Sequence, residues 1–162
     1  FGDASEETIG YQDEVIFPIV IEPVDAVKPV RLNLALNYAV CHEVCIPASA
    51  KLSLDVSQAT IDARGAHWLT LVPTAVKDAV TSSMVAKDSE GLHLLLSVKG
   101  QASDIFVESK TLAYFGRPAP GPDGAYRLPI YNVIDPAKLK GQPLLITVNL
   151  GDRFVEQTVT LP

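Results

Sequence analysis

The sequence predicts an all-β protein made of two β-sandwich subdomains joined by a short helical linker. Apolar residues make up 48% of the 162 residues, which is enough for a packed core. Twelve prolines and ten glycines divide the chain into short segments. Along several of these segments apolar and polar side chains alternate. This combination is typical of many short strands connected by turns.

The first subdomain is expected to span residues 1–58. Alternating apolar residues predict one strand over residues 15–21. The pattern is clearest over residues 30–40, where every second residue is apolar, as expected for a strand with one buried face. Residues 52–56 repeat it after a gap. We expect the two later strands to form a hairpin with a long loop over residues 41–51.

The linker is expected over residues 59–80, because apolar residues from Asp62 onward recur at helical spacing. Pro73 should break or kink a helix there. Residues 81–162 are expected to form the second sandwich, in which Asp135-Pro136 has the pattern of a capped helical turn. This subdomain contains no cysteine, and we expect it to serve as a scaffold. Its strand signals cover residues 92–98, 105–107, 126–130, 144–150 and 154–161.

Net charge, hydropathy and the distribution of histidines argue against three classes of function: nucleic-acid binding, membrane insertion and acid–base or nucleophilic hydrolysis. The formal net charge of -6 and the lack of a basic stripe argue against nucleic-acid binding. No apolar run approaches the ~18 residues that a membrane helix needs, so we expect no direct membrane insertion of this segment. Three scattered histidines provide no recognisable acid–base or nucleophilic constellation.

The chemistry is therefore expected at the run Cys41-His42-Glu43-Val44-Cys45. Three interpretations are open: a redox-active pair, a structural disulfide in an interaction module, or metal ligands. A structural bridge would close a loop of only five residues, which contributes roughly 2 kcal/mol in the chain-entropy relation. A pair on an exposed loop is better placed for exchange, because an attacking thiolate needs in-line access to a sulfur.

The metal interpretation rests on Cys41, Cys45 and His42, since two thiolates and an imidazole suit Cu(I). Zinc would require a fourth ligand, and His67 or His93 would have to supply it from other predicted elements. For the redox interpretation, the loop offers little that would activate a thiolate strongly. We therefore expect an electron relay that depends on its partner, rather than a broad-specificity oxidant.

Several runs along nearly the whole chain, strongest from Gly10 to Leu54, resemble the N-terminal periplasmic region of the DsbD family, and most closely its suppressor-of-copper-sensitivity (ScsB) branch. The family contains thiol:disulfide interchange proteins. The tyrosine before a spaced cysteine pair, followed by Ile-Pro-Ala, is the most specific part of the resemblance. The runs are Gly10-Tyr11-Gln12-Asp13-Glu14-Val15, Phe17-Pro18, Leu36-Asn37-Tyr38-Ala39-Val40-Cys41-His42-Glu43-Val44-Cys45-Ile46-Pro47-Ala48, Tyr114-Phe115-Gly116 and Tyr126-Arg127-Leu128-Pro129-Ile130.

The resemblance implies an immunoglobulin-like fold and a redox role for Cys41 and Cys45, with Cys45 joined to partners in mixed disulfides. It implies that Phe1 belongs to an aromatic cap over the cysteines. It also implies that strands preceding Phe1 in the family are missing here, so that the first subdomain is truncated at its N-terminus. The other residues expected near the redox loop are Tyr11, Tyr38, His42, Glu43 and Pro47.

The resemblance further implies a location and partners. The location is the periplasm of a Gram-negative bacterium, with this segment as the soluble part of an inner-membrane protein. Electrons would come from membrane-embedded and thioredoxin-like domains of the same or a companion polypeptide, and would pass to periplasmic thioredoxin-fold proteins. We expect no cofactor, although the copper-tolerance link of the ScsB branch keeps the Cu(I) alternative open.

Overall fold

A computed structural model describes residues 10–25, 27–56, 63–111, 113–133 and 135–162. The chain divides into two compact units, Phe1–Thr70 and Leu71–Pro162. Strands dominate both units, which confirms the all-β fold class and is consistent with the expected immunoglobulin-like type. Among the described residues, no helix has both the length and the apolar character needed to span a membrane.

The first unit is built around one long β-hairpin. Strands β1 (Val30–Cys41) and β2 (Cys45–Val56) pair antiparallel along their whole length, from Val30 opposite Val56 to Cys41 opposite Cys45. Because side chains alternate between the two faces of a strand, this register sorts them by polarity. One face carries the valines, leucines, isoleucine and Tyr38, and the other carries the cysteines with polar and small residues.

Cross-strand pairs stabilise the polar face of the hairpin. Asn33 lies opposite Ser53, whose hydroxyl donates to the Asn33 Oδ1 at 2.8 Å. Arg31 lies opposite Asp55, with 3.6 Å between the Arg31 Nε and the Asp55 Oδ1. Such pairs contribute roughly 0.2–1 kcal/mol each. The apolar face remains largely exposed, and no described residue of the first unit is buried.

Two expectations for the first unit are wrong. The loop between the strands covers only residues 42–44 instead of 41–51, because β2 already begins at Cys45. Residues 15–21 were expected to form a strand, but the structure assigns no strand to the described residues 10–25. An alternating pattern shows that a segment suits a strand. Backbone pairing also requires a partner, and the pattern does not supply one.

The predicted helical segment contains a short helix, α1 (Ala63–Leu69), which ends four residues before Pro73. The chain then enters the second unit through the two-residue strand β3 (Thr74–Ala75). Proline lacks the backbone N–H that a continuing helix would use, which explains why the helical pattern does not extend further. The helix is thus shorter than the spacing of apolar residues predicted.

The second unit is a sandwich of two sheets. In one sheet the order is β3-β11-β10-β6, and in the other it is β4-β5-β9-β7, with β8 also pairing with β9. Among the strands in the described residues, only β3 and β11 pair in parallel. The remaining strands are β4 (Val80–Asp88), β5 (Gly91–Val98), β6 (Asp104–Ser109), β7 (Tyr114–Phe115), β8 (Ala119–Pro120), β9 (Tyr126–Tyr131), β10 (Pro143–Asn149) and β11 (Phe154–Thr160).

The two sheets of the second unit enclose one apolar core. Leu94 and Leu128 from one sheet and Ile146 from the other are fully buried, and they belong to a single cluster. The five strands predicted in this half of the chain are confirmed. The capped turn is confirmed too, since the Asp135 carboxylate accepts a hydrogen bond from the Ala137 N–H at 3.0 Å.

Candidate functional site

Cys41 and Cys45 form a disulfide at the tip of the hairpin, with an S–S distance of 2.07 Å. Cys41 is the last residue of β1 and Cys45 the first of β2, so the bond links the final pair of the strand ladder. Three residues, His42 to Val44, span the turn between them. The His42 N–H donates to the Val44 carbonyl at 3.4 Å, which closes the turn.

The position of the disulfide in the strand ladder indicates which neighbouring residue pairs are joined by backbone hydrogen bonds. The Cα atoms of Cys41 and Cys45 are 4.0 Å apart, close to the ~4.5 Å of a pair without backbone hydrogen bonds. Since the two pair types alternate, Ala39 and Pro47 form the next pair of this kind. Pro47 therefore loses no ladder bond to β1, because the backbone nitrogen of a residue in such a pair points away from the paired strand.

The two cysteines differ in exposure. Cys45 is exposed, whereas Cys41 is half-buried. His42, Glu43 and Val44 in the turn are all exposed. Disulfide exchange depends on access of a thiolate to one sulfur, so Cys45 offers the more open target.

The other predicted site residues take different positions. His42 and Glu43 lie in the turn itself, and Pro47 lies two residues beyond Cys45 on the same face of β2. Tyr38 lies on the opposite, apolar face of the hairpin, paired with Ala48. Tyr11 makes an edge-to-face ring contact with Phe17, at 5.3 Å between ring centroids. Phe1, the expected cap residue, lies outside the described residues.

The same tip contains the groups required for the Cu(I) alternative. The cysteine sulfurs could act as thiolate ligands only after reduction, because in the disulfide each sulfur is bonded to the other and carries no negative charge. The His42 side chain lies in the same turn, between the two cysteines in sequence. His67 belongs to α1, where its ring contacts that of Trp68 edge-on. His93 belongs to β5 in the second unit.

A polar cluster in the second unit was not found from the sequence. The carboxylates of Asp88 and Glu90 and the His93 imidazole have potential ligand atoms within 4.8 Å of one another. The Arg127 guanidinium lies among them: its Nη2 is 2.8 Å from the Asp88 Oδ2, 2.7 Å from the Glu90 Oε2 and 3.3 Å from the His93 Nδ1. An arginine thus already supplies the positive charge that a metal ion would bring.

Hydrogen bonds and charges within this cluster shift two pKa values. The Glu90 backbone N–H donates to the Asp88 carboxylate, and this bond, with Arg127 as a further cause, holds the pKa of the Asp88 carboxyl below its usual value. Hydrogen bonds to Glu90 and Asp88 raise the pKa of Arg127 above its usual value. The pairing between strands explains why the sequence could not reveal the cluster. Arg127 lies 39 residues from Asp88, and only the β4-β5-β9 order brings them together.

An exposed disulfide between directly paired strands of an all-β protein can undergo thiol–disulfide exchange without disturbing a core. Residues 1–57, which contain both cysteines, match the family described as "Thiol:disulfide interchange protein DsbD, N-terminal". Comparisons with curated proteins and with solved structures gave no match. The disulfide and the family match together support a thiol–disulfide interchange domain.

Proposed function

We propose that this chain is a periplasmic domain that relays electrons through the Cys41–Cys45 pair to thioredoxin-fold proteins. The observation that carries the proposal is the location of the disulfide at the exposed tip of a hairpin, where Cys45 and all three residues of the turn are exposed. A disulfide whose main role is stability would be expected to join elements distant in sequence, because the entropic gain grows with loop length. This one joins residues that the backbone already pairs.

The exchange follows the usual chemistry of thiols. The attacking thiolate of the electron donor forms a bond to the Cys45 Sγ, and the S–S bond breaks with Cys41 leaving as a thiolate. A second thiol of the donor then resolves the mixed disulfide. Two electrons and two protons enter the pair, and the donor is left with a disulfide. In the onward step the reduced pair reverses these roles and reduces the disulfide of the next protein.

The family match also bears on the partners. A DsbD-type relay would receive electrons from membrane-embedded and thioredoxin-like domains, in the same polypeptide or in a companion one. It would act in the periplasm, where protein thiols require a supply of reducing equivalents. Membership in the ScsB branch is part of the same proposal and rests on the runs around Tyr11 and Tyr38.

The first test is the reduction potential of the Cys41–Cys45 pair, measured by alkylation and mass spectrometry across a dithiothreitol redox series. We expect a value within roughly -120 to -270 mV, the range of catalytic exchange proteins. A value below about -300 mV would mark a stable structural disulfide and would overturn the relay. A pair that stays reduced and takes up Cu(I) would instead support a copper-binding domain using Cys41, Cys45 and His42.

A trapping experiment tests the role of each cysteine. The probe is a thioredoxin variant that keeps only its attacking cysteine, activated with an aromatic disulfide. The Cys41→Ser protein retains the exposed thiol and should form a mixed disulfide with the probe. The Cys45→Ser protein retains the half-buried thiol and should react more slowly. Equal trapping by both variants would contradict the assignment of Cys45 as the partner-linked residue.

A further inference from the structure

Ala39 and Pro47 are the nearest strand residues to the disulfide on its own face of the hairpin. Cys41 and Cys45 end the strand ladder, and Ala39 lies opposite Pro47 two residues further along the strands. Because side chains alternate between the two faces of a strand, these four side chains share one face, and the pair between them lies on the other. Both Ala39 and Pro47 are exposed.

Strand geometry places these four side chains close together. Neighbours on the same face of one strand are about 6.6 Å apart, twice the rise per residue. Across the ladder, the cysteine pair and the Ala39–Pro47 pair both belong to the type without backbone hydrogen bonds. Side chains approach each other most closely in this type, with Cβ atoms roughly 4.5–5.5 Å apart. The surroundings of the sulfurs on this face are therefore set by residues 39 and 47.

Covalent geometry determines how near an exchange partner has to come. In a disulfide the Cα atoms of the two cysteines usually lie about 4.4–6.8 Å apart. In a mixed disulfide through the Cys45 Sγ, the partner's cysteine Cα is therefore about as close to Cys45 as Pro47 is. The partner residues that flank this cysteine then lie within contact distance of the side chains around Cys45. A small thiol such as dithiothreitol brings no polypeptide and needs no such space.

We propose that Ala39 and Pro47 are specificity-determining residues, whose small side chains admit the polypeptide that carries the attacking thiol. Alanine has no side-chain atom beyond Cβ, and the proline ring closes back onto its own backbone nitrogen, so neither side chain reaches over the sulfurs. The inference rests on the proposed function, since it concerns the partner in the same exchange reaction. It predicts that larger side chains at these positions exclude a protein thiol and still admit a small-molecule thiol.

The test compares two reductants on the oxidised full chain, reduced thioredoxin and dithiothreitol, by stopped-flow measurement of the second-order rate constants. The Ala39→Phe variant places an aromatic ring beside the disulfide on the same face. Its rate constant with thioredoxin should fall by about tenfold or more, equivalent to about 1.4 kcal/mol. Its rate constant with dithiothreitol should stay within about twofold, because a small thiol still has access to the exposed Cys45 sulfur.

A matched control is Ala35→Phe, the same substitution on the same strand and the same face. Ala35 is also exposed and lies six residues from Cys41, about 20 Å along the strand. The control should react with thioredoxin at the wild-type rate. A second variant, Pro47→Phe, places the ring on the other strand and leaves the ladder intact, because the nitrogen of residue 47 points away from β1. It should show a loss in the same direction as Ala39→Phe.

The outcomes separate this inference from the function on which it rests. A wild-type pair that neither reductant opens at catalytic potentials would refute the proposed function itself. A wild-type pair that reacts normally, combined with Ala39→Phe and Pro47→Phe variants that keep their thioredoxin rate, would refute only the role of residues 39 and 47. An equal loss in the Ala35→Phe control would also refute that role. So would an equal loss with both reductants, because the ring would then cover the sulfurs without distinguishing the two kinds of thiol.

Discussion

The Asp88 carboxylate accepts two hydrogen bonds from different parts of the fold. The Glu90 N–H donates to its Oδ1 at 2.8 Å within the β4–β5 turn. The Arg127 Nη2 donates to its Oδ2, also at 2.8 Å, from β9. Both donors favour the ionised carboxylate, which is why the pKa of Asp88 lies below its usual value in the folded protein.

Asp88 should therefore stabilise the second unit at neutral pH, and this contribution should be lost in acid. A carboxyl with a lowered folded-state pKa stabilises the fold fully above its unfolded pKa of about 3.9, and the contribution disappears as the pH falls through the folded pKa. We expect Asp88→Asn to lower the melting temperature near neutral pH. It should also flatten the decline of melting temperature below about pH 5. Thermal unfolding followed by circular dichroism from pH 7 to pH 3 would measure both effects.

Ser89→Ala provides the control for this prediction. Ser89 occupies the same turn as Asp88 and Glu90 and carries no charge. Its replacement should leave the acid dependence of the wild-type protein intact. If Asp88→Asn and Ser89→Ala give the same profile, the carboxylate has no measurable role and the turn alone accounts for the stability.

Within the β4–β5 pair, neighbouring side chains lie in opposite environments. Met84 in β4 pairs with Leu95 and is 55% exposed. Leu94, one residue away in β5, is fully buried among the leucines and isoleucines of both sheets. The period of two along the strand thus places adjacent residues on different sides of the sheet.

Truncating these two side chains should have very different costs. Leu94→Ala removes a buried side chain and leaves a cavity, so the free energy of unfolding should fall by about 2–5 kcal/mol. Met84→Ala removes a half-exposed side chain of the same sheet and should change it by no more than about 1 kcal/mol. Chemical denaturation of both variants would measure the difference. Similar losses would mean that β5 does not face the core as described.

The strength of local patterns decides which elements could be predicted from the sequence. Residues 30–40 alternate without interruption and form β1 almost as predicted. The first half of β2 was missed because, apart from Ile46, its residues are small or, like Pro47, unfavourable in strands, so the apolar alternation there is weak. Its pairing with β1 is what makes it a strand, and pairing is a property of the tertiary structure.

The candidate site was predictable only where its residues are neighbours in sequence. Cys41 and Cys45 were identified from their spacing, and the family match to residues 1–57 covers them. Their exposure difference and their place at the end of the ladder depend on the register of β1 and β2. Tyr38 shows the same limit. It lies three residues from Cys41, yet strand alternation puts it on the other face of the hairpin.

At the scale of the molecule, the two units are organised differently. The second unit contains the whole buried cluster, with members from residue 79 to residue 161. The first unit contributes none of the buried residues in the parts of the chain that the structure describes. A unit with its own core is expected to fold without help from the remainder of the chain.

A fragment covering residues 71–162 should therefore fold independently. We expect cooperative thermal unfolding, with a midpoint that stays the same whether or not a reductant is present, because the fragment lacks both cysteines. Calorimetry of the fragment and of the full chain would test this. The same fragment carrying Leu94→Ala should unfold at a clearly lower temperature. A soluble fragment without a cooperative transition would contradict the prediction.

The disulfide connects two residues that eleven preceding pairs of the hairpin already hold opposite each other. Opening the bond therefore frees little more than the turn from His42 to Val44, and the register of the strands has other supports. Reduction and oxidation of the Cys41–Cys45 bond therefore do not require the hairpin to unfold and refold. We expect the oxidised and reduced forms to share one backbone, so that the speed of each cycle is set by encounters with partners rather than by rearrangement of the chain.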